Sequence, residues 1–164
     1  MLAPASHRDQ TGLMQTISPF LWFDSAAEQA AELYVSLFEN SAIDGITRLP
    51  DGGVFVVSFT LDGVQFHGMN GGPTRAFTEA VSFSVIAPTQ ERIDELWEAL
   101  IADGGEPSQC GWLKDRFGLS WQIVPPRLNE LLAGDDPEAS GRVMQAMMGM
   151  QKFVIADLEA AATS

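Results

Sequence analysis

One succession of elements occurs twice in this chain, and a tandem repeat restricts what 164 residues can fold into more than any bulk property does. In the first copy, ISPFLWF (17–23) reads as a short buried strand. Ser25 and Glu28 then have the S-x-x-E spacing of a capping box, and Ala30, Leu33, Tyr34, Leu37 and Phe38 follow at the spacing of one helix face. Three strand-like runs come next, AIDGITRL, VFVVSFTL and VQFHGMN, the last two separated by Asp62-Gly63, a pair suited to a tight hairpin turn. The order is β, α, β, β, β.

The second copy opens with AVSFSVI, places Thr89 as a helix cap, and repeats the stripe with Ile93, Leu96, Trp97, Leu100 and Ile101. The copies superpose at one constant offset: Leu33-Tyr34 on Leu96-Trp97, Leu37-Phe38 on Leu100-Ile101, and Phe20 on Phe83. The final hairpin, LKDRFGLSWQIV, aligns with TLDGVQFHGM through Gly118 and Gly63, so the second copy loses residues from its middle strands. Gly71-Gly72-Pro73 reads as the linker. Beyond the repeat, Pro125-Pro126 ends a strand, RLNELLAG makes a short helix, and Asp136-Pro137 opens another with Val143, Met144, Met147 and Met148 on its apolar face. KFVIADLEAAATS reads as an extended piece and a last helical turn or two.

The expected fold class is therefore α+β: two tandem βαβββ modules with a C-terminal helical extension. Residues 1–15 read as a disordered tail, because His7, Arg8, Asp9 and Gln10 interrupt any apolar signal core. Residues 16–160 form a single two-module domain, with module one at 16–72, module two at 78–126 and C-terminal helices at 127–160. Composition enters mainly through what it excludes. With 22 acidic against 9 basic residues the chain has a net charge of −13, which repels a polyphosphate backbone, so no nucleic acid partner is expected. No apolar run approaches the roughly 18 residues of a membrane span, so no membrane partner is expected either. A lone cysteine, Cys110, forms no disulfide within the chain and suits a cytoplasmic location.

The paired modules resemble the vicinal oxygen chelate fold of the glyoxalase, bleomycin resistance and dioxygenase proteins. FHGMNGGP, QCGWLKDRFGLSWQIVPP and RVMQAMMGMQKF more closely resemble its PhnB-like branch, over about residues 16 to 160. The resemblance implies two sheets curled around a shared cleft, and a homodimer. Members of the branch often carry the label 3-demethylubiquinone-9 3-methyltransferase. Methyltransferase activity is not expected here, because Gly52-Gly53, Gly71-Gly72 and Gly104-Gly105 all lie in turns where no strand feeds a helix around a cofactor.

Strand alternation then assigns faces. Val64 and Phe66 read as core, which leaves Gln65, His67 and Met69 on the cleft side; Leu119, Trp121 and Ile123 read as core, which leaves Ser120, Gln122 and Val124. Phe83 and Val85 read as core, which leaves Ser82 and Ser84 and, through the repeat, Pro19 and Leu21. Ser58 and Thr60 are placed on the same concavity. The expected ligand-binding set is Leu21, Gln65, His67, Met69, Ser82, Ser84 and Gln122. His67 is the candidate catalytic residue, as a general base or donor, against the alternative of a half-buried histidine with a backbone partner. In metal-dependent relatives the first and last strand of each module supply His or Glu ligands. The resemblance places those positions near Ile17 or Pro19, His67, Ala80 or Ser82, and Gln122, of which His67 alone is a credible ligand. Neither metal nor cofactor is expected.

Cys110 reads as a small buried structural residue, Trp121 as core and Trp112 as either core or ligand wall; Asp62 and Asp115 read as turn acceptors. Three functions stay open: a metal-independent protein binding a small-molecule ligand in the cleft, a metal-dependent glyoxalase- or dioxygenase-type enzyme, and a non-catalytic sequestering protein of the resistance type.

Overall fold

The computed structural model describes residues 15–164, so the expected tail lies, up to residue 14, outside the described residues. The chain divides into two compact units, the first ending at Ala76 and the second beginning at Phe77.

Unit one contains β1 (Phe20–Phe23), α1 (Ala27–Leu37), β2 (Ala42–Arg48), β3 (Val54–Leu61) and β4 (Val64–Asn70). Its sheet has the order β1-β4-β3-β2, with β1 parallel to β4 and the other neighbours antiparallel. Asp62 (φ 46°) and Gly63 (φ 77°) make the expected two-residue turn, both in the left-handed conformation that matches the twist of the strands they join. Helix α1 buries Ala27, Ala30, Ala31 and Tyr34 against a sheet face of Val57, Phe59 and Phe66. Phe59 stacks on Phe66 at 5.5 Å and meets Tyr34 at 6.3 Å. Three alanines let helix and sheet approach closely. Gly68 does the same from the strand side, since a Cβ there would press on Phe23 and Ala27.

The cap of α1 differs from the expected box. The helix starts one residue too late for it: the N-cap position is Ala26, with no side-chain cap of its own. Asn70, at the end of β4, supplies the acceptor instead, its Oδ1 taking the Ala27 amide at 2.8 Å while its Nδ2 donates to the Val54 carbonyl at 3.1 Å. Glu28 pairs with Arg48 at 3.1 Å. A local motif is thus replaced by a cap reaching across the fold.

Unit two contains β5 (Phe83–Ile86), α2 (Gln90–Ile101), β6 (Glu106–Pro107), β7 (Trp112–Lys114) and β8 (Ser120–Val124). Three helices follow, α3 (Pro126–Leu132), α4 (Pro137–Met148) and α5 (Ile155–Thr163). The sheet order β5-β8-β7-β6 repeats that of unit one, with β5 parallel to β8. Thr89 caps α2 through the Arg92 amide (3.2 Å) and Asp136 caps α4 through Glu138 and Ala139, both as expected. The shortening also falls where it was expected, in β6 and β7. In place of a two-residue turn, β7 and β8 are joined by residues 115–119 folded around Asp115, which is 2% exposed. Its carboxylate accepts from the amides of Phe117 (2.9 Å) and Leu119 (3.0 Å) and from the Trp121 indole (2.9 Å).

The C-terminal extension is tied down at the opposite end of β7 and β8 from the Asp115 hairpin. Gln90 donates to the Phe153 carbonyl and accepts from the Ile155 amide, while the amides of Cys110 and Gly111 donate to the carbonyls of Met150 and Gln151. Phe153 is buried over Gly111 (φ 79°), where a Cβ would run into its ring.

The repeat is present, but its superposition differs from the single expected offset. The buried helix positions Ala27, Ala30, Ala31 and Tyr34 answer to Ile93, Leu96, Trp97 and Leu100, a difference of 66 at every pair, where matching Leu33 to Leu96 implies 63. In the strands, Leu21 pairs with Gly68 and Val85 with Ile123, so a match of His67 to Gln122 sets Leu21 against Val85, a difference of 64. A helical stripe tolerates a slip of three residues because i and i+3 share a face; a strand tolerates no slip of one, because that turns every side chain over.

Candidate functional site

In each unit one sheet face is covered by a helix and the other carries the polar residues. On that second face of unit one, Phe20, His67 and Ser58 stand in register across β1, β4 and β3. The Ser58 Oγ lies 3.0 Å from the His67 Nδ1, and the Phe20 ring, 58% exposed, sits 5.7 Å from the imidazole at a tilt of 31°. A hydroxyl both donates and accepts, so it satisfies Nδ1 in either tautomer. The partner of Nδ1 is thus a side-chain hydroxyl and not a backbone group. Gln65 lies level with Thr60, whose hydroxyl donates to Asp44 at 2.8 Å, and Met69 lies level with Trp22 and Val56.

Two residues belong elsewhere than the alternation argument places them. Leu21 is buried and pairs with Gly68, on the α1 side of the sheet and away from His67; Pro19 precedes it by two residues and shares that side. The one-residue difference between the true strand offset and the assumed one accounts for both. Val64, expected in the core, is 45% exposed because it is the first residue after the hairpin turn.

On the corresponding face of unit two, Ser84, Gln122 and Trp112 stand in register across β5, β8 and β7. The Gln122 Nε2 donates to the Ser82 Oγ at 2.8 Å, so two of the expected residues touch. One strand level away are Lys114 and Ser120, and the Lys114 Nζ lies 3.6 Å from Glu106 and 3.9 Å from Glu79. A pocket of about 480 Å³ opens here, lined among others by Glu79, Glu106, Cys110, Trp112, Lys114 and Ser120. None of the seven expected ligand-binding residues lines it. A signal for Lys114 exists in the sequence: Trp112 and Lys114 alternate with the buried Leu113, and lysine is scarce in so acidic a chain.

The donor chemistry does not suit a divalent ion at the positions used by metal-dependent relatives. His67 has no carboxylate beside it, and the Gln122 amide is engaged with the Ser82 hydroxyl. Among the described residues no three His, Cys, Asp or Glu side chains stand together as a metal site requires.

The remaining candidates divide cleanly. Trp121 is buried and donates to Asp115, so both are structural, and Asp62 occupies its turn. Trp112 is half-buried and belongs to the pocket wall. Cys110, expected to be buried, is half-exposed at a left-handed backbone position (φ 56°) and its Sγ contacts the Met147 carbonyl at 3.6 Å. On α4, Val143 is buried while Met144 and Met148 are exposed.

The family described as 3-demethylubiquinone-9 3-methyltransferase matches residues 15–124. The chain is 33% identical to the PhnB protein of Bacillus cereus, itself described by the same methyltransferase label, over 68% of this chain and 99% of that one, with a TM-score of 0.63. A protein from Pseudomonas aeruginosa is 18% identical over 68% of this chain and 97% of its own, with a TM-score of 0.54, and shares the fold. No curated protein matches.

Proposed function

Because this chain belongs to the PhnB-like family described as 3-demethylubiquinone-9 3-methyltransferase, with its vicinal oxygen chelate fold, we propose that it is a metal-independent small-molecule-binding protein. The ligand contacts are the polar side chains on the sheet faces opposite α1 and α2. The observation that carries this reading is the state of His67 and Gln122: each is held by a neighbouring hydroxyl, Ser58 at 3.0 Å and Ser82 at 2.8 Å, in place of a carboxylate or a second imidazole. A neutral amide and one hydroxyl-bound imidazole suit hydrogen bonds to an organic ligand better than coordination of a catalytic cation.

Methyl transfer is no part of this reading. The turns feeding α1 (Asp24, Ser25, Ala26) and α2 (Ala87, Pro88, Thr89) contain no glycine, and neither offers the close backbone approach that a nucleotide-like cofactor takes at such a turn. No helix among the described residues is long and apolar enough to cross a membrane.

Native mass spectrometry of protein purified without a histidine tag tests the reading. The expected result is less than about a tenth of an equivalent of divalent metal, together with an adduct of small organic mass lost in the His67→Ala variant. The same spectrum reads the expected dimer. Stoichiometric metal, or ligand retention that ignores His67, would overturn it.

A further inference from the structure

The Lys114 ammonium is placed unlike the other paired cations among the described residues. Described ion pairs of Arg48, Arg92, Arg116, Arg127 and Lys152 close to between 2.6 and 3.1 Å. Lys114 stays 3.6 Å from Glu106 and 3.9 Å from Glu79, beyond hydrogen-bond distance from either, while facing the 480 Å³ pocket. Both glutamates are surface acids, each with a 73% exposed side chain. Trp112 offers a half-buried indole as one wall, and Ser120, 2% exposed, lies level with Lys114 on β8.

We propose that this pocket binds small zwitterions: a planar ring against Trp112, a carboxylate on Lys114, and a protonated amine between Glu79 and Glu106. The pocket contains neither His67 nor Gln122, so this is a second site, separate from the ligand contacts proposed above and tested independently of them. The charges decide the class. A dianion such as a phosphate monoester meets two carboxylates within 4 Å of its one cation and is disfavoured. A simple cation would have to displace Lys114, and a simple monoanion leaves both glutamates without a partner. A ligand carrying both signs satisfies all three side chains with charge-assisted hydrogen bonds.

Isothermal titration of the full chain with three probes sharing one ring, tryptophan, indole-3-acetate and tryptamine, tests this. Tryptophan is expected to bind about tenfold or more tighter than either of the others. Lys114→Met weakens tryptophan by about tenfold and leaves tryptamine unweakened, whereas the Glu79→Gln/Glu106→Gln pair weakens tryptamine and strengthens indole-3-acetate. Equal affinities for the three probes, or unchanged tryptophan binding by a Lys114→Met protein with the parent circular dichroism spectrum, overturns the proposal. If none of the indoles binds while the protein retains an organic adduct sensitive to His67, the zwitterion assignment fails and the binding reading stands. If no small molecule binds in either experiment, both fail.

Discussion

The two units share a strand order and hold it together differently. Unit one relies on long antiparallel ladders, with β2 and β3 of 7 and 8 residues, a two-residue turn, and a helix whose alanines let it sit close to the sheet. Unit two has middle strands of only 2 and 3 residues, which cannot supply that many ladder hydrogen bonds. It compensates with a bulkier helix face of Ile93, Leu96, Trp97 and Leu100, a buried carboxylate that organises its hairpin, and three further helices clasped by Gln90 and Phe153. One topology thus tolerates the loss of half its ladder if side chains take over the satisfaction of the backbone.

The sharpest way to break that contrast is at the two hairpin aspartates. Asp115→Ala leaves two amides and an indole without their buried acceptor and is expected to cost about 3 kcal/mol or more, whereas Asp62→Ala, in a solvated turn, costs under about 1 kcal/mol. Urea unfolding midpoints compare them, and similar costs would mean that Asp115 does not organise the hairpin. Phe153→Ala should come next, at about 3 kcal/mol for a buried aromatic. Because Phe153 connects the extension to the sheet, limited proteolysis should cut the variant near α5 first; uniform cleavage would separate the extension from the stability of unit two.

The caps give a smaller, graded test. Thr89→Ala removes a local cap and should cost about 1 kcal/mol, while Asn70→Ala removes a cap and a strand contact together and should cost about 2 kcal/mol. Hydrogen exchange at the first-turn amides of α1 distinguishes this from general loosening, which would raise exchange throughout unit one.

The least effect is expected from Asp94 on α2. The hydrogen bond from Lys152 chiefly, and then that from Gln90, hold its carboxyl below the ordinary value of 3.8. A carboxyl depressed in the folded state contributes stability above its unfolded value, and that contribution is lost as pH falls through the folded one. Wild type should therefore lose more melting temperature than Asp94→Asn on acidification below pH 3.8. The difference is small because the pair is solvent-screened. Parallel melting curves across that range would show that the Lys152 contact adds nothing.

The element order, the Asp62-Gly63 turn, the Thr89 and Asp136 caps, and the site of the deletion were all legible in the residues, since each rests on interactions within a few positions of chain. The site was legible only in part. Alternation put Gln65, His67 and Met69 on one face and Ser82, Ser84 and Gln122 on another, and those groupings agree with the strand pairing. Leu21 was misplaced because its face was inferred through the repeat, where one residue of error reverses the answer. The Lys114 pocket was missed because β7 is only 3 residues long, too short for a period of two to stand out.

By itself, then, the sequence determined that two βαβββ modules would form, since apolar periodicity and turn chemistry act locally and survive small errors of alignment. Tertiary structure alone decided register. It chose Asn70 over Ser25 as the cap of α1, turned Leu21 to the helix side, held His67 and Gln122 against hydroxyls, and set Lys114 facing a pocket between Glu106 and Glu79. These depend on which residues of distant strands come level with one another. That choice is made by the packing of whole faces, and no short stretch of chain encodes it.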